Sequence, residues 1–485
     1  MAALLCRAGL VAVVLFATRA DAQVAEHAEL QQHYHAQLRT FADATAASGL
    51  TVQAERVRRW IPEHAVLTVQ LPMSRRVLDD SAANDELPAD ASAAERKWHA
   101  DFQQLKLAQA EALFALTLKA FRAKHAAWGW QWMLEALREN PDHAAARKVL
   151  GHDRYEGAWR TPFEIGKLKA KQVWSPRFGW IAESELPRYE QGERYYRGKW
   201  ISAAAEEEQR QSFDRGWEII TEHFVVRTNH SLEKGVHFAT QLERLREAWL
   251  GMFVRFVYTE AELLNRAEGK GSTRQSFPRH SVWLFRDRDE YVEALKGEQP
   301  WIANTTGYYD HGKRRSFLYA GLADDSSIFH EATHQLFGEL RQNRNSVGLR
   351  ANFWVLEGVA CYMESLVVSP EFLTLGGVRA VRLNDARIRL LRDNFHEPLG
   401  TLVGQGMAEI QKFEEIKKLY SEMAGLSYFL MHYEQGKYRD ITSDYLMRVY
   451  QSKDTPTTLA ELTGHSYAEL DVQYRQFLEA LAKSD

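Results

Sequence analysis

Two histidines one helical turn apart, His330 and His334, with a carboxylate between them and another acid in an apolar run further on, constrain this chain more than any other feature of its 485 residues. The stretch reads Ser326-Ser327-Ile328-Phe329-His330-Glu331-Ala332-Thr333-His334-Gln335-Leu336-Phe337-Gly338. At 3.6 residues per turn the two imidazoles project from one helix face, close enough to hold one metal ion, and Glu331 lies at the edge of that face. Phe329, Leu336 and Phe337 supply apolar contacts, and Asp324, Asp325, Ser326 and Ser327 are N-cap candidates, so a partly buried helix is predicted to begin near residue 326.

Zinc suits such a pair because it accepts neutral imidazole nitrogen and prefers four ligands, of which a hydrolytic site leaves one position open. A third protein ligand is then required. Trp354-Val355-Leu356-Glu357-Gly358-Val359-Ala360-Cys361-Tyr362-Met363-Glu364 offers it. Trp354, Glu357, Cys361 and Glu364 follow at spacings of three and four and share a helix face. An unpaired carboxylate among such apolar neighbours costs several kcal/mol, so Glu357 needs a cation. The predicted division of labour is His330, His334 and Glu357 as metal ligands and Glu331 as general base toward a metal-activated water.

These two blocks resemble the gluzincin metallopeptidases, in particular the aminopeptidase N relatives, whose pattern is His-Glu-x-x-His-Gln-x-Phe-Gly followed by Asn-Glu-Gly-Phe-Ala-x-Tyr-x-Glu. The resemblance implies a thermolysin-like zincin domain and the same ligand set. Leu356 stands where the family has Asn, and no Gly-x-Met-Glu-Asn stretch lies upstream to hold a free substrate amino terminus. The chain is therefore more similar to the secreted peptidase-MA-like proteins of bacteria, and an endopeptidase is favoured over an aminopeptidase. The family also uses a tyrosine beyond the third ligand to stabilise the oxyanion. Leu419-Tyr420-Ser421-Glu422-Met423-Ala424 resembles that stretch and nominates Tyr420; from its own surroundings Tyr420 also reads as a core or helix-start residue.

Net charge of −4 gives no electrostatic case for nucleic acid or an anionic membrane as partner. Residues 1–22 read as an export signal: one basic residue among the first seven, Arg7, a short apolar core and Ala20-Asp21-Ala22 as a cleavage site before Gln23. That core is too short to stay in a membrane as a spanning helix, and a secreted or periplasmic location follows. Cys6 would leave with the signal, so Cys361 alone remains and no intramolecular disulfide forms.

The expected class is α+β, mostly helical. Residues 23–153 read as a helical scaffold, with helices over 92–126, 128–140 and 144–150, the last pair resembling a single tetratricopeptide-like hairpin. That hairpin is either a partner-binding element or a scaffold pair packed on the next domain. Residues 154–217 form a small Trp/Tyr/Gly-rich segment with short strands, where Arg154-Tyr155-Glu156-Gly157-Ala158-Trp159 is echoed by Arg194-Tyr195-Tyr196-Arg197-Gly198-Lys199-Trp200. Its aromatics suit either a small core or a stacking surface. Residues 218–485 are the catalytic part: strands at 223–228, 281–285, 307–309 and 316–320, a helix at 232–256, and only helices after Glu364. The function expected is zinc-dependent hydrolysis of peptide bonds. The rival is a non-catalytic secreted protein that keeps zinc as a staple and binds an envelope partner.

Overall fold

The computed structural model describes residues 19–63, 65–74, 87–270, 278–321, 325–339 and 347–482. The leader expected over 1–22 lies outside these residues except for 19–22, which open the first helix. Among the described residues no helix is long and apolar enough to cross a membrane.

The chain begins with helices α1 (Arg19–Ala47) and α2 (Thr51–Trp60). Tyr34, Leu38, Val57, Trp98 and Phe102 bury them against α3 (Ala93–Arg122). Helix α3 starts at a capping box in which the Glu95 amide donates to Ser92 Oγ at 3.2 Å and the Glu95 carboxylate accepts from the Ser92 amide at 2.8 Å. The helix expected over 92–126 stops at Arg122 because Lys124 turns the chain with φ +70°, and α4 (Ala126–Glu139) folds back along it. Helix α5 (Ala144–Leu150) completes the predicted hairpin. Trp130, Met133, Leu134 and Leu137 of α4 sit in the main core of the molecule. The apolar face of that hairpin is thus covered by this chain itself.

Between α2 and α3 lies a strand that periodicity in a helical region conceals. Strand β1 (Thr68–Pro72) pairs antiparallel with residues near position 374, Val69 opposite Leu375 and Leu71 opposite Leu373. Its apolar residues join one continuous core running from Leu113 and Phe121 through Trp249 to Leu481. Residues on both sides of position 153 share that core.

The middle segment is a threefold repeat of β-hairpin and short helix. Hairpin β2 (Asp153–Tyr155) and β3 (Ala158–Arg160) is followed by α6 (Pro162–Lys169). Strands β4 (Gln172–Ser175) and β5 (Gly179–Ala182) precede α7 (Leu186–Glu190). Strands β6 (Glu193–Tyr196) and β7 (Lys199–Ser202) precede α8 (Ala203–Gln209). The first and third copies turn through Glu156-Gly157 and Arg197-Gly198, both residues of each pair at positive φ. The middle copy uses a longer turn, Ser175 to Gly179, without that signature, so its kinship is invisible in sequence. The chain's own arginines stack on these rings: Arg188 lies 3.8 Å from the Trp200 centroid, Arg194 4.7 Å from Phe178 and Arg154 5.1 Å from Trp159.

The remainder is built on a five-stranded sheet of β8 (Trp217–Ile220), β9 (Phe224–Thr228), β10 (His280–Phe285), β11 (Gly307–Asp310) and β12 (Arg315–Tyr319). The strand order is β11-β12-β10-β9-β8, with the β9/β10 and β10/β12 pairs parallel and the two outer pairs antiparallel. Helix α9 (Leu232–Phe253) lies on one face. Helix α10 (Glu260–Ala267) packs on α5, and α11 (Arg288–Leu295) covers the other face with Phe285, Phe317 and Tyr319.

Helices α12 (Ser326–Glu339) and α13 (Phe353–Met363) carry the two motif blocks. The expectation of helices alone after Glu364 fails. Strands β13 (Val367–Val368) and β14 (Phe372–Gly376) follow, and β14 is the partner of β1. Leu373 and Leu375 point inward in strict alternation, a period-two signal too short to stand out between helices. Then come α14 (Val381–Leu391), α15 (Leu399–Leu402), α16 (Met407–Gln411), α17 (Ile416–His432), α18 (Arg439–Tyr450), α19 (Thr458–Thr463) and α20 (Tyr467–Ala482). The architecture is α+β and mostly helical.

Candidate metal centre

Helix α12 is pinned to the sheet before any ligand is considered. The Gln335 side chain donates to the Ser281 carbonyl at 3.0 Å and accepts from the Ser316 hydroxyl at 2.8 Å. Phe337 packs edge-on against Trp249, Phe253 and Phe256 at centroid distances of 5.1, 5.0 and 4.9 Å. Glu339, a poor residue for a helix C-terminus, is buried there against His280 Nδ1 at 2.9 Å. With that face fixed, His330 and His334 project from the opposite side toward α13.

Helix α13 is held just as firmly. It starts at Asn352, fully buried and in the left-handed region with φ +56°. The Tyr445 hydroxyl donates to Asn352 Oδ1 at 2.6 Å, and Asn352 Nδ2 donates to Asp454 at 2.7 Å. These bonds hold a conformation that would otherwise be strained. One turn in, Glu357 points at α12.

The three donor groups meet. His330 Nε2 lies 3.3 Å from His334 Nε2 and 3.3 Å from Glu357 Oε2, and His334 Nε2 lies 3.6 Å from Glu357 Oε1. A tetrahedral zinc with bonds of about 2.0 to 2.1 Å separates its ligand atoms by roughly 3.3 to 3.4 Å, which the two 3.3 Å contacts match and the 3.6 Å contact, made to the other Glu357 oxygen, slightly exceeds. Burial alone would raise the Glu357 carboxyl, but the His334 charge and hydrogen bonds from both imidazoles hold it well below the usual carboxylate range.

No protein-family model matches this chain, and no curated protein does. Its chemistry is read from the geometry.

His330 is oriented from behind. Its Nδ1 lies 2.8 Å from Glu364 Oε1, and Arg382 of α14 grips Glu364 through both oxygens at 2.8 and 3.1 Å. This leaves Nε2 as the atom offered to a metal, the carboxylate–histidine arrangement that fixes a ligand's tautomer. Cys361 Sγ stands 4.0 Å from the same Nδ1, behind the ring and away from the ligand triangle. Burial pushes its thiol up. Glu364 and Arg382 are the functional residues that sequence reasoning missed: Glu364 shares the Glu357 face, but its partner on α14 is set only by tertiary packing.

Glu331 lies beside the triangle without joining it. Its side chain passes over Gly307 of edge strand β11, where a Cβ would come within 2.6 Å of Glu331 Cγ. Burial raises its carboxyl above the ordinary range, and the charges of His330 and His334 offset this in part. Such a carboxylate is a better proton acceptor than a solvated one. Tyr420 arrives from α17, and its phenol hydrogen-bonds Glu357 while burial, then the Glu357 charge, push its pKa far up. It stays a protonated donor at any working pH. All five residues singled out by sequence, His330, Glu331, His334, Glu357 and Tyr420, therefore lie in one place.

Proposed function

We propose that the chain is an exported zinc-dependent peptidase of gluzincin type that cleaves peptide bonds, acting as an endopeptidase. The observation that carries this reading is the convergence of His330 Nε2, His334 Nε2 and the Glu357 carboxylate at 3.3 to 3.6 Å, close to the ligand spacing of a tetrahedral zinc, with the Glu331 carboxylate and the Tyr420 phenol beside them. Export rests on the leader-like residues 1–22.

His330, His334 and Glu357 would hold zinc, which supplies Lewis acidity toward a substrate carbonyl and lowers the pKa of water. Glu331 takes the proton of the attacking water and passes it to the departing amine nitrogen. Tyr420 donates its O–H to the carbonyl oxygen as negative charge gathers there, a contact whose removal typically costs about 100 to 1000-fold. Glu364 and Arg382 keep His330 in register throughout.

The reading as a purely structural zinc protein needs a fourth protein ligand. Cys361 faces Nδ1 of His330 and groups with Glu364 there, not with His334 and Glu357, which favours an open position. The test is digestion of a broad peptide library by the purified chain with and without chelator. Cleavage is expected to stop on chelation and return with zinc, and Glu331→Gln is expected to keep zinc while losing at least about 100-fold in kcat. Full turnover by Glu331→Gln would rule out the assigned chemistry.

A further inference from the structure

Strand β11 is the outermost strand on its side of the five-stranded sheet, so one row of its backbone groups has no strand beside it among the described residues. Its pleat separates two environments. Gly307 and Tyr309 face α12: a Cβ at Gly307 would meet Glu331, and Tyr309 packs 3.0 Å from the Cβ position of Gly338. Tyr308 faces the opposite way, its ring parallel to Phe317 at 6.4 Å and edge-on to Trp301 at 5.1 Å. Gln299 Nε2 donates to the Tyr308 hydroxyl at 3.2 Å, which fixes that ring. Trp301 is 47% exposed, a large apolar surface left open just outside the edge.

An extended peptide lying along this edge adopts the same alternation of side chains. The residue opposite Gly307 directs its side chain to the α12 face, beside Glu331. Its neighbour, opposite Tyr308, directs its side chain to the other face, where directly paired residues come within about 4.5 to 5.5 Å at Cβ. There it meets the Tyr308 ring with Trp301 beyond it. Asp310 follows on the strand, and Glu298 in the preceding loop is ion-paired with Lys313, whose ammonium lies 5.8 Å from the Phe317 centroid. An acidic side chain loses its water against these rings, and an aromatic or large aliphatic one gains ring contacts.

We propose that Trp301 and Tyr308 form a specificity ledge of the candidate active site, selecting an aromatic or large aliphatic side chain at the substrate position paired with Tyr308 and rejecting an acidic one. This rests on the peptidase reading for its function, but its test does not need turnover. Zinc-loaded full-length Glu331→Gln protein is titrated into short fluorescein-labelled peptides carrying Phe or Asp at every second position, with Ala between, and anisotropy is read. The Phe peptide is expected to bind at least about five-fold more tightly than the Asp peptide. Trp301→Ala and Tyr308→Ala are each expected to cut that ratio below about two-fold while zinc content and thermal unfolding stay unchanged. In the chain with Glu331 intact, Trp301→Ala then raises KM for the Phe peptide and leaves kcat in place. Equal binding of the two peptides, or a preference that survives both substitutions, overturns the ledge. A preference that disappears as expected in a chain that cleaves nothing upholds the ledge and sinks the peptidase reading.

Discussion

His330 shows how one side chain can be claimed from both ends. Its Nε2 belongs to the ligand triangle and its Nδ1 to Glu364, which is itself gripped by Arg382. Removing Arg382 leaves the Glu364 carboxylate free to turn away and loosens the imidazole it holds. Arg382→Ala is therefore expected to weaken zinc binding about 10 to 100-fold, measured against a competing chelator, with Arg382→Lys recovering part of the loss. Unchanged affinity in Arg382→Ala would mean that the packing of α12 alone orients His330. The ligands themselves were legible because a spacing of four on a helix and an acid in an apolar run each state a physical demand. Arg382 was not: nothing near Val381 in sequence marks it as facing Glu364.

Between elements, the closest approach that matters is that of α13 and α17. At Gly358, the residue after the third ligand, a Cβ would lie 2.5 Å from Ser427 Oγ and closer still to the Met423 carbonyl. A bare glycine lets the helices touch at that point, and their touching brings Tyr420 to Glu357. Gly358→Ala is expected to force α17 outward and draw the Tyr420 phenol off the site, cutting kcat about 100-fold or more with zinc retained. Wild-type kcat in Gly358→Ala would show that Tyr420 does not depend on this contact. Elements whose partners are near in sequence, such as α3 with α4 or β11 with β12, could be read from periodicity. Strands β1 and β14 could not, because each is five residues long and its pairing partner lies on the far side of the five-stranded sheet in sequence. The middle hairpin escaped for a different reason, since its turn lacks the paired positive-φ residues that mark the other two.

Across the whole molecule, the boundary expected near residue 153 does not divide the core. Strand β1 completes the sheet with β14, Gln131 of α4 donates to the Gly251 carbonyl at 3.1 Å, and Arg439 stacks 4.2 Å from the Trp128 centroid while its guanidinium reaches Gln131. Val69, Leu71, Trp130 and Leu134 share their burial with residues beyond position 217. A chain beginning at residue 154 would expose these contacts and leave one edge of β14 unpaired. It is expected to be insoluble or to unfold without cooperativity in urea, whereas removal of residues 1–22 alone is expected to leave folding intact. A soluble, zinc-binding, cooperatively folded 154–485 fragment would show that the helical region is a detachable module.

The central claim is that two imidazoles and one carboxylate hold a single zinc with one position left to solvent. Zinc K-edge X-ray absorption on the purified full-length chain tests it directly. The account predicts one zinc per chain in a shell of nitrogen and oxygen at about 2.0 to 2.1 Å, with two imidazole signatures that fall to one in His334→Ala. A sulfur scatterer at about 2.3 Å, which would place Cys361 in the coordination shell and close the site, would contradict it.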